Sequence, residues 1–122
     1  RVITASPRRY GFHGTLKAPF EPAPGVGKAE VHEAVALLAA RLRPVEVPLA
    51  VGSLGGFLAL VPVERSPPAL RELADACVTG LDHLRAPPPA AELERRRGAG
   101  LTPAQDRNLA RWGYPYVLDE FR

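Results

Sequence analysis

His13, Thr15 and Lys17 stand at alternate positions in "RRYGFHGTLKAPF", and together these three residue types can handle a phosphate group. An imidazole takes up or releases a proton near neutral pH. A threonine hydroxyl can donate to a non-bridging oxygen, and an ammonium offsets negative charge. On a strand, residues at i, i+2 and i+4 share one face, each about 7 Å from the next. Gly14, on the opposite face, would permit close packing by a neighbouring element. The same spacing also suits an ordinary solvated strand, so spacing alone leaves both readings open.

Other candidates carry less. His32 lies beside the apolar stripe of a helix, and His83 near the end of another; both are more simply structural. Cys77 falls on an apolar stripe and reads as a small buried hydrophobe. Arg95, Arg96 and Arg97 read as a solvated helical face. Arg8 and Arg9 precede the presumed catalytic strand and can extend its positive field towards an anionic substrate. Tyr10 shares a face with Phe12, which favours packing. Tyr114 and Tyr116 can either line a cleft or bury against a sheet.

The elements that must position these residues follow from hydrophobic periodicity. Residues 10 to 17 alternate as a half-buried strand that Pro19 ends. Residues 28 to 43 carry Val31, Val35, Leu38 and Leu42 at helical spacing, closing before Pro44. Residues 45 to 51 and 57 to 63 form a hairpin, with Pro48 demanding an edge or a bulge. Ser66 caps a second helix, with Pro67 and Pro68 in its first turn and Leu70, Leu73, Cys77, Leu81 and Leu84 as its stripe. Residues 86–112 form a helical insertion, in which Thr102 caps, Gln105 completes a capping box and Gly113 stops the last helix. "YPYVLDEFR" favours a final strand. The order is an α+β, ferredoxin-like β-α-β-β-α-β pattern with an antiparallel sheet.

Composition narrows the class. The chain has 122 residues, a net charge of +3, 46% hydrophobic and 24% charged residues, which fits a single domain spanning 1–122. No apolar run has the length to span a bilayer, so no membrane partner is expected. The modest charge falls short of a nucleic-acid stripe and suits a small phosphorylated substrate. One cysteine and no zinc-like Cys/His spacing point to the cytoplasm, with no metal or other cofactor expected. The chain opens on Arg1 and has no methionine, so it is expected to be incomplete at both ends.

"RRYGFHGTLKAPF" and "RWGYPYVLDEFR" together resemble the two-histidine (2H) phosphoesterase superfamily, and within it the family associated with phosphonate-utilisation operons. The resemblance runs through most of the chain. It implies a bilobed fold in which two His-x-Thr/Ser motifs face each other across a cleft. It further implies metal-independent attack on a phosphodiester, often cyclic, with one histidine as general base, the other as general acid, and both hydroxyls on the phosphate.

By that resemblance His13 is a catalytic acid or base, with the acid preferred, and Thr15 is its phosphate-holding partner. Lys17, Arg9 and Tyr116 are the substrate-binding candidates. Neither His32 nor His83 is followed by x-Thr or x-Ser, so the second motif is expected beyond Arg122 and these residues alone should be weakly active or inactive. Two other classes remain: an RNA-binding module of ferredoxin-like fold, although its stacking aromatics are missing, and a non-catalytic phosphate-ligand binder that has lost its second motif.

Overall fold

Helix caps and prolines set most of the element boundaries in this chain. Its computed structural model describes residues 8, 11, 13–54, 57–65 and 67–121. Helix α1 spans Lys28–Ala39, β1 Leu49–Leu54, β2 Phe57–Pro62 and α2 Pro68–Gly80. A 3₁₀ turn at Asp82–Leu84 follows, then α3 at Ala90–Arg97, α4 at Pro103–Trp112 and a second 3₁₀ turn at Leu118–Glu120. The fold is α+β with an antiparallel sheet, as the sequence predicts.

α1 stops four residues before the expected 43. Its end tightens into three-residue turns, with Arg41 N–H donating to Leu38 O and Leu42 N–H to Ala39 O. This is how a helix winds down before a proline such as Pro44. β1 starts at Leu49 rather than 45, because Pro48 has no N–H to give to the ladder. Its carbonyl still accepts from Val63 N–H at 2.9 Å. The hairpin register runs from Leu49 opposite Pro62 to Leu54 opposite Phe57. The expected cap of α2, Ser66, lies outside the described residues, and Pro68 occupies the first turn.

α4 is capped as expected. Gln105 N–H donates to Thr102 Oγ1 at 3.2 Å, and Thr102 N–H donates to Gln105 Oε1 at 3.0 Å. Gly113 ends the helix at φ 76°, a conformation that L side chains avoid. A Cβ there would also lie 2.9 Å from the Arg85 guanidinium.

Two expected strands are not formed among the described residues. Residues 13 to 20 follow no ladder, and Tyr10 and Phe12 lie outside the described set. Backbone pairing occurs further on, where Ala23 N–H donates to Leu84 O and Ala86 N–H to Glu21 O, both at 2.8 Å, around an isolated Pro22–Arg85 bridge. The last segment is not a strand either. The Asn108 amide donates to Val117 O at 2.9 Å and Pro115 O at 3.4 Å, and Leu118 turns to φ 53°. Those carbonyls bind a helix side chain instead of a neighbouring strand.

The core is Ala74, Val78, Leu81, Leu84, Leu109 and Val117. It lies where α2 and its trailing turn meet α4 and the terminal segment. The hairpin stands apart from it, with Val51 77% and Leu58 87% exposed.

Candidate functional site

Thr15 lines an open groove of about 450 Å³ whose other walls are Leu16, Ala18, Pro19, Tyr114, Tyr116, Val117 and Phe121. The groove therefore lies between the "HGTLKAP" stretch and the "YPYVLDEF" stretch, the two segments that carry the candidate chemistry. Three ties hold the second segment down. The Asn108 amide binds two of its carbonyls, Gln105 Nε2 donates to Glu120 Oε2 at 2.8 Å, and Arg71 pairs with Asp119 at 3.2 Å. Gln105 thus does two jobs: one end closes the cap of α4 and the other fixes the groove wall.

His13 is exposed, two residues before Thr15. Its Nδ1 lies 3.1 Å from Gly11 O. A carbonyl only accepts, so this contact places a proton on Nδ1, and the neutral ring then carries its lone pair on Nε2. Gly11 has φ 71°, which lets its carbonyl turn onto the ring.

Lys17 is not brought to the groove. Its ammonium donates to Val78 O in the last turn of α2 at 3.0 Å and sits 5.4 Å from the Phe20 ring centroid. There it faces the negative end of a helix. It lines a separate crevice of about 20 Å³ with Phe20, Arg85, Trp112 and Tyr114. Burial pushes its pKa down from 10.5, and the nearby Asp82 carboxylate partly opposes that. A regular strand would have put Thr15 and Lys17 on one face; bends at Leu16 and Lys17 break that period. Arg9 lies outside the described residues.

Tyr116 does line the groove, and so does Tyr114. Their rings meet edge to face, with centroids 5.7 Å apart at 77°. Asp82, only 16% exposed in its side chain, accepts from Arg85 Nε and Arg111 Nη1, both at 3.0 Å. Cys77 is half-buried, and burial raises its thiol pKa above 9.0. Its sulfur is therefore held as the poorly nucleophilic thiol. Among the described residues no three His, Cys, Asp or Glu side chains converge as metal ligands. Nor is any described helix long and apolar enough to cross a membrane.

Residues 15–122 match the family described as Protein of unknown function (DUF1045). The chain belongs to this family. The matched span of this DUF1045 chain contains Thr15, Lys17 and Tyr116 and begins just after His13. A protein of Laribacter hongkongensis (strain HLHK9), named ribose 1,5-bisphosphate phosphokinase PhnN, is 40% identical over 122 residues, 100% of this chain and 27% of the relative. A protein of the same name from Janthinobacterium sp. (strain Marseille) is 44% identical over 121 residues, 98% of this chain and 26% of the relative. The DUF1045 chain thus spans about a quarter of the length of the curated relatives it matches. No solved structure matches it.

Periodicity missed several features of this site. It read Arg96 as a solvated face, whereas Arg96 packs over Tyr114, 5.2 Å from the ring centroid. Nor did it pair Asp82 with Arg85 and Arg111, which are 3 and 29 residues away. The one local signal for the groove wall was a pair of tyrosines two apart, directly after a helix-stopping glycine.

Proposed function

We propose that this chain is part of a metal-independent phosphoesterase that acts on a small cyclic phosphate or phosphodiester, with a phosphorylated ribose as the class of substrate. The observation that carries this reading is the groove itself, with Thr15 at one wall and His13 two residues away, opposite the tyrosine segment. The resemblance of both segments to the two-histidine phosphoesterases supports it. The names of the two relatives, which specify a ribose bisphosphate, support the substrate class and a place in phosphonate metabolism.

In this reading the phosphate sits at Thr15, whose hydroxyl donates to a non-bridging oxygen. His13, held through Nδ1 by Gly11, works through Nε2, protonating the leaving oxygen or drawing a proton from the attacking one. Lys17 contributes by fixing the Thr15-bearing segment to α2 rather than by touching the phosphate. The acid–base cycle needs a second histidine besides His13, and neither His32 nor His83 is followed by x-Thr or x-Ser. The chain contains no G-x-x-x-x-G-K-[S/T] stretch.

The test uses the full natural protein, assayed against 2′,3′-cyclic nucleotides and ribose cyclic phosphates with and without EDTA. Hydrolysis should persist in chelator. His13→Ala should lower kcat about 10²- to 10⁴-fold, and Thr15→Ala should lower kcat/KM about 10- to 100-fold, the worth of a hydrogen bond to a charged group. Activity that vanishes with EDTA, or that His13→Ala leaves intact, would sink the mechanism.

A further inference from the structure

The charged run "ELERRR" has no part in the proposed chemistry, yet it is tied to the groove. Arg96 donates from Nε at 3.0 Å and from Nη2 at 2.7 Å to the same Glu92 oxygen one turn earlier on α3. That double contact holds the guanidinium plane, whose carbon lies 5.2 Å from the Tyr114 ring centroid. Tyr114 in turn meets Tyr116 edge to face, and both rings line the groove with Thr15. The neighbouring Arg95 is unlike it. Its side chain is 74% exposed and 3.7 Å from Glu92, against 27% for that of Arg96. One of the three arginines is thus sequestered against the groove wall.

A cation over a ring face is attracted by the ring quadrupole, and partial burial strengthens that attraction. Edge-to-face contact passes the constraint to the second ring, because such pairs prefer one geometry. The hydrogen bonds from Arg96 hold the Glu92 carboxyl below its ordinary 4.5, so the pair stays charged into mildly acidic solution.

We infer that the Glu92–Arg96 pair of α3 is the positioning element of the groove's aromatic wall, setting the stance of Tyr114 and Tyr116 opposite Thr15. Resting on the reading that this groove takes the substrate, the pair governs affinity for the organic part of a small phosphorylated substrate and leaves the phosphate chemistry to His13 and Thr15. Arg96 and Glu92 act through the tyrosines and are positioning residues.

The test measures KM and kcat of the full natural protein on 2′,3′-cyclic CMP, together with near-ultraviolet tyrosine circular dichroism and the thermal midpoint. Arg96→Ala and Tyr114→Leu should each raise KM about tenfold with kcat within about twofold, the scale of one cation–π or ring–ring contact. Both should weaken the tyrosine signal and lower the midpoint by no more than a few degrees, the scale of one lost contact. Tyr114→Phe, which keeps the ring, should restore KM, and Arg95→Ala should behave as wild type. An unchanged KM and tyrosine signal in Arg96→Ala overturns the inference. So does a joint fall of kcat and thermal midpoint, which would mark a merely structural residue. If the wild-type protein hydrolyses no cyclic phosphate, the phosphoesterase reading fails. The tyrosine signal then decides the positioning separately: its loss in Arg96→Ala upholds it, and its persistence overturns it.

Discussion

Lys17 and Cys77 are two groups among the described residues whose charged form burial opposes, and their effects on stability run in opposite directions with pH. The folded Lys17 ammonium loses its proton below 10.5, so between its folded value and 10.5 the unfolded chain binds more protons. That contribution rises with pH through this window. The folded Cys77 thiol holds its proton above 9.0, so its contribution falls as pH rises from 9.0 through the folded value. Cys77→Ala should therefore leave a chain whose urea midpoint climbs with alkaline pH, and Lys17→Met should abolish the climb. Denaturant titration at a series of pH values checks both signs. Leu118 is the other residue with a distinct signature, since φ 53° is rare for a side chain with a Cβ. Leu118→Ile, β-branched in that conformation, should cost about 1–2 kcal/mol, whereas Leu118→Gly should stay within about 0.5 kcal/mol of wild type. Chemical denaturation of the two variants would show the difference.

Among the elements, α4 does most to join fold and site. Its capping box, its buried Leu109 and its Asn108 amide all bear on the segment that walls the groove. Thr102→Ala removes one acceptor from the helix start and should cost about 1 kcal/mol. Because Gln105 also donates to Glu120, the loosened cap should reach the groove wall. Amide hydrogen exchange of residues 115 to 120 should rise in Thr102→Ala, and unchanged protection there would refute the link. α3 shows the opposite balance. It has no buried residue, and its charges are met locally by Glu92, Glu94 and by Asp106 of α4. Its link to the groove is Arg96 over the Tyr114 ring.

Over the whole molecule, apolar burial is uneven. Leu84 and Leu109 are fully enclosed between α2, its trailing turn and α4. Leu58 and Val51 stand on the same hairpin in water, although their types are those of a core. Leu84→Ala and Leu109→Ala should each cost about 2–5 kcal/mol, a large share of an ordinary domain's stability. Leu58→Ala should cost less than about 0.5 kcal/mol. Urea unfolding of the three variants measures that contrast, and a costly Leu58→Ala would show that the hairpin face is packed in solution.

Local chemistry determined what the sequence could declare by itself. Two helices with a hairpin between them, the Thr102–Gln105 box, the Gly113 stop and the α+β class were all legible, because each depends on residues within a few positions of one another. The tertiary structure decided the rest. Whether residues 13 to 17 and 114 to 121 form strands depends on partners for their backbone groups, and the described chain offers Val78 O to Lys17 and the Asn108 amide to Val117 O. Those contacts are 61 and 9 residues apart. The first holds Lys17 away from the groove, the second helps hold the tyrosine segment that walls it, and Arg96 lies over Tyr114. Periodicity records which face a residue takes once an element exists; it holds no information about which distant group will satisfy its polar atoms.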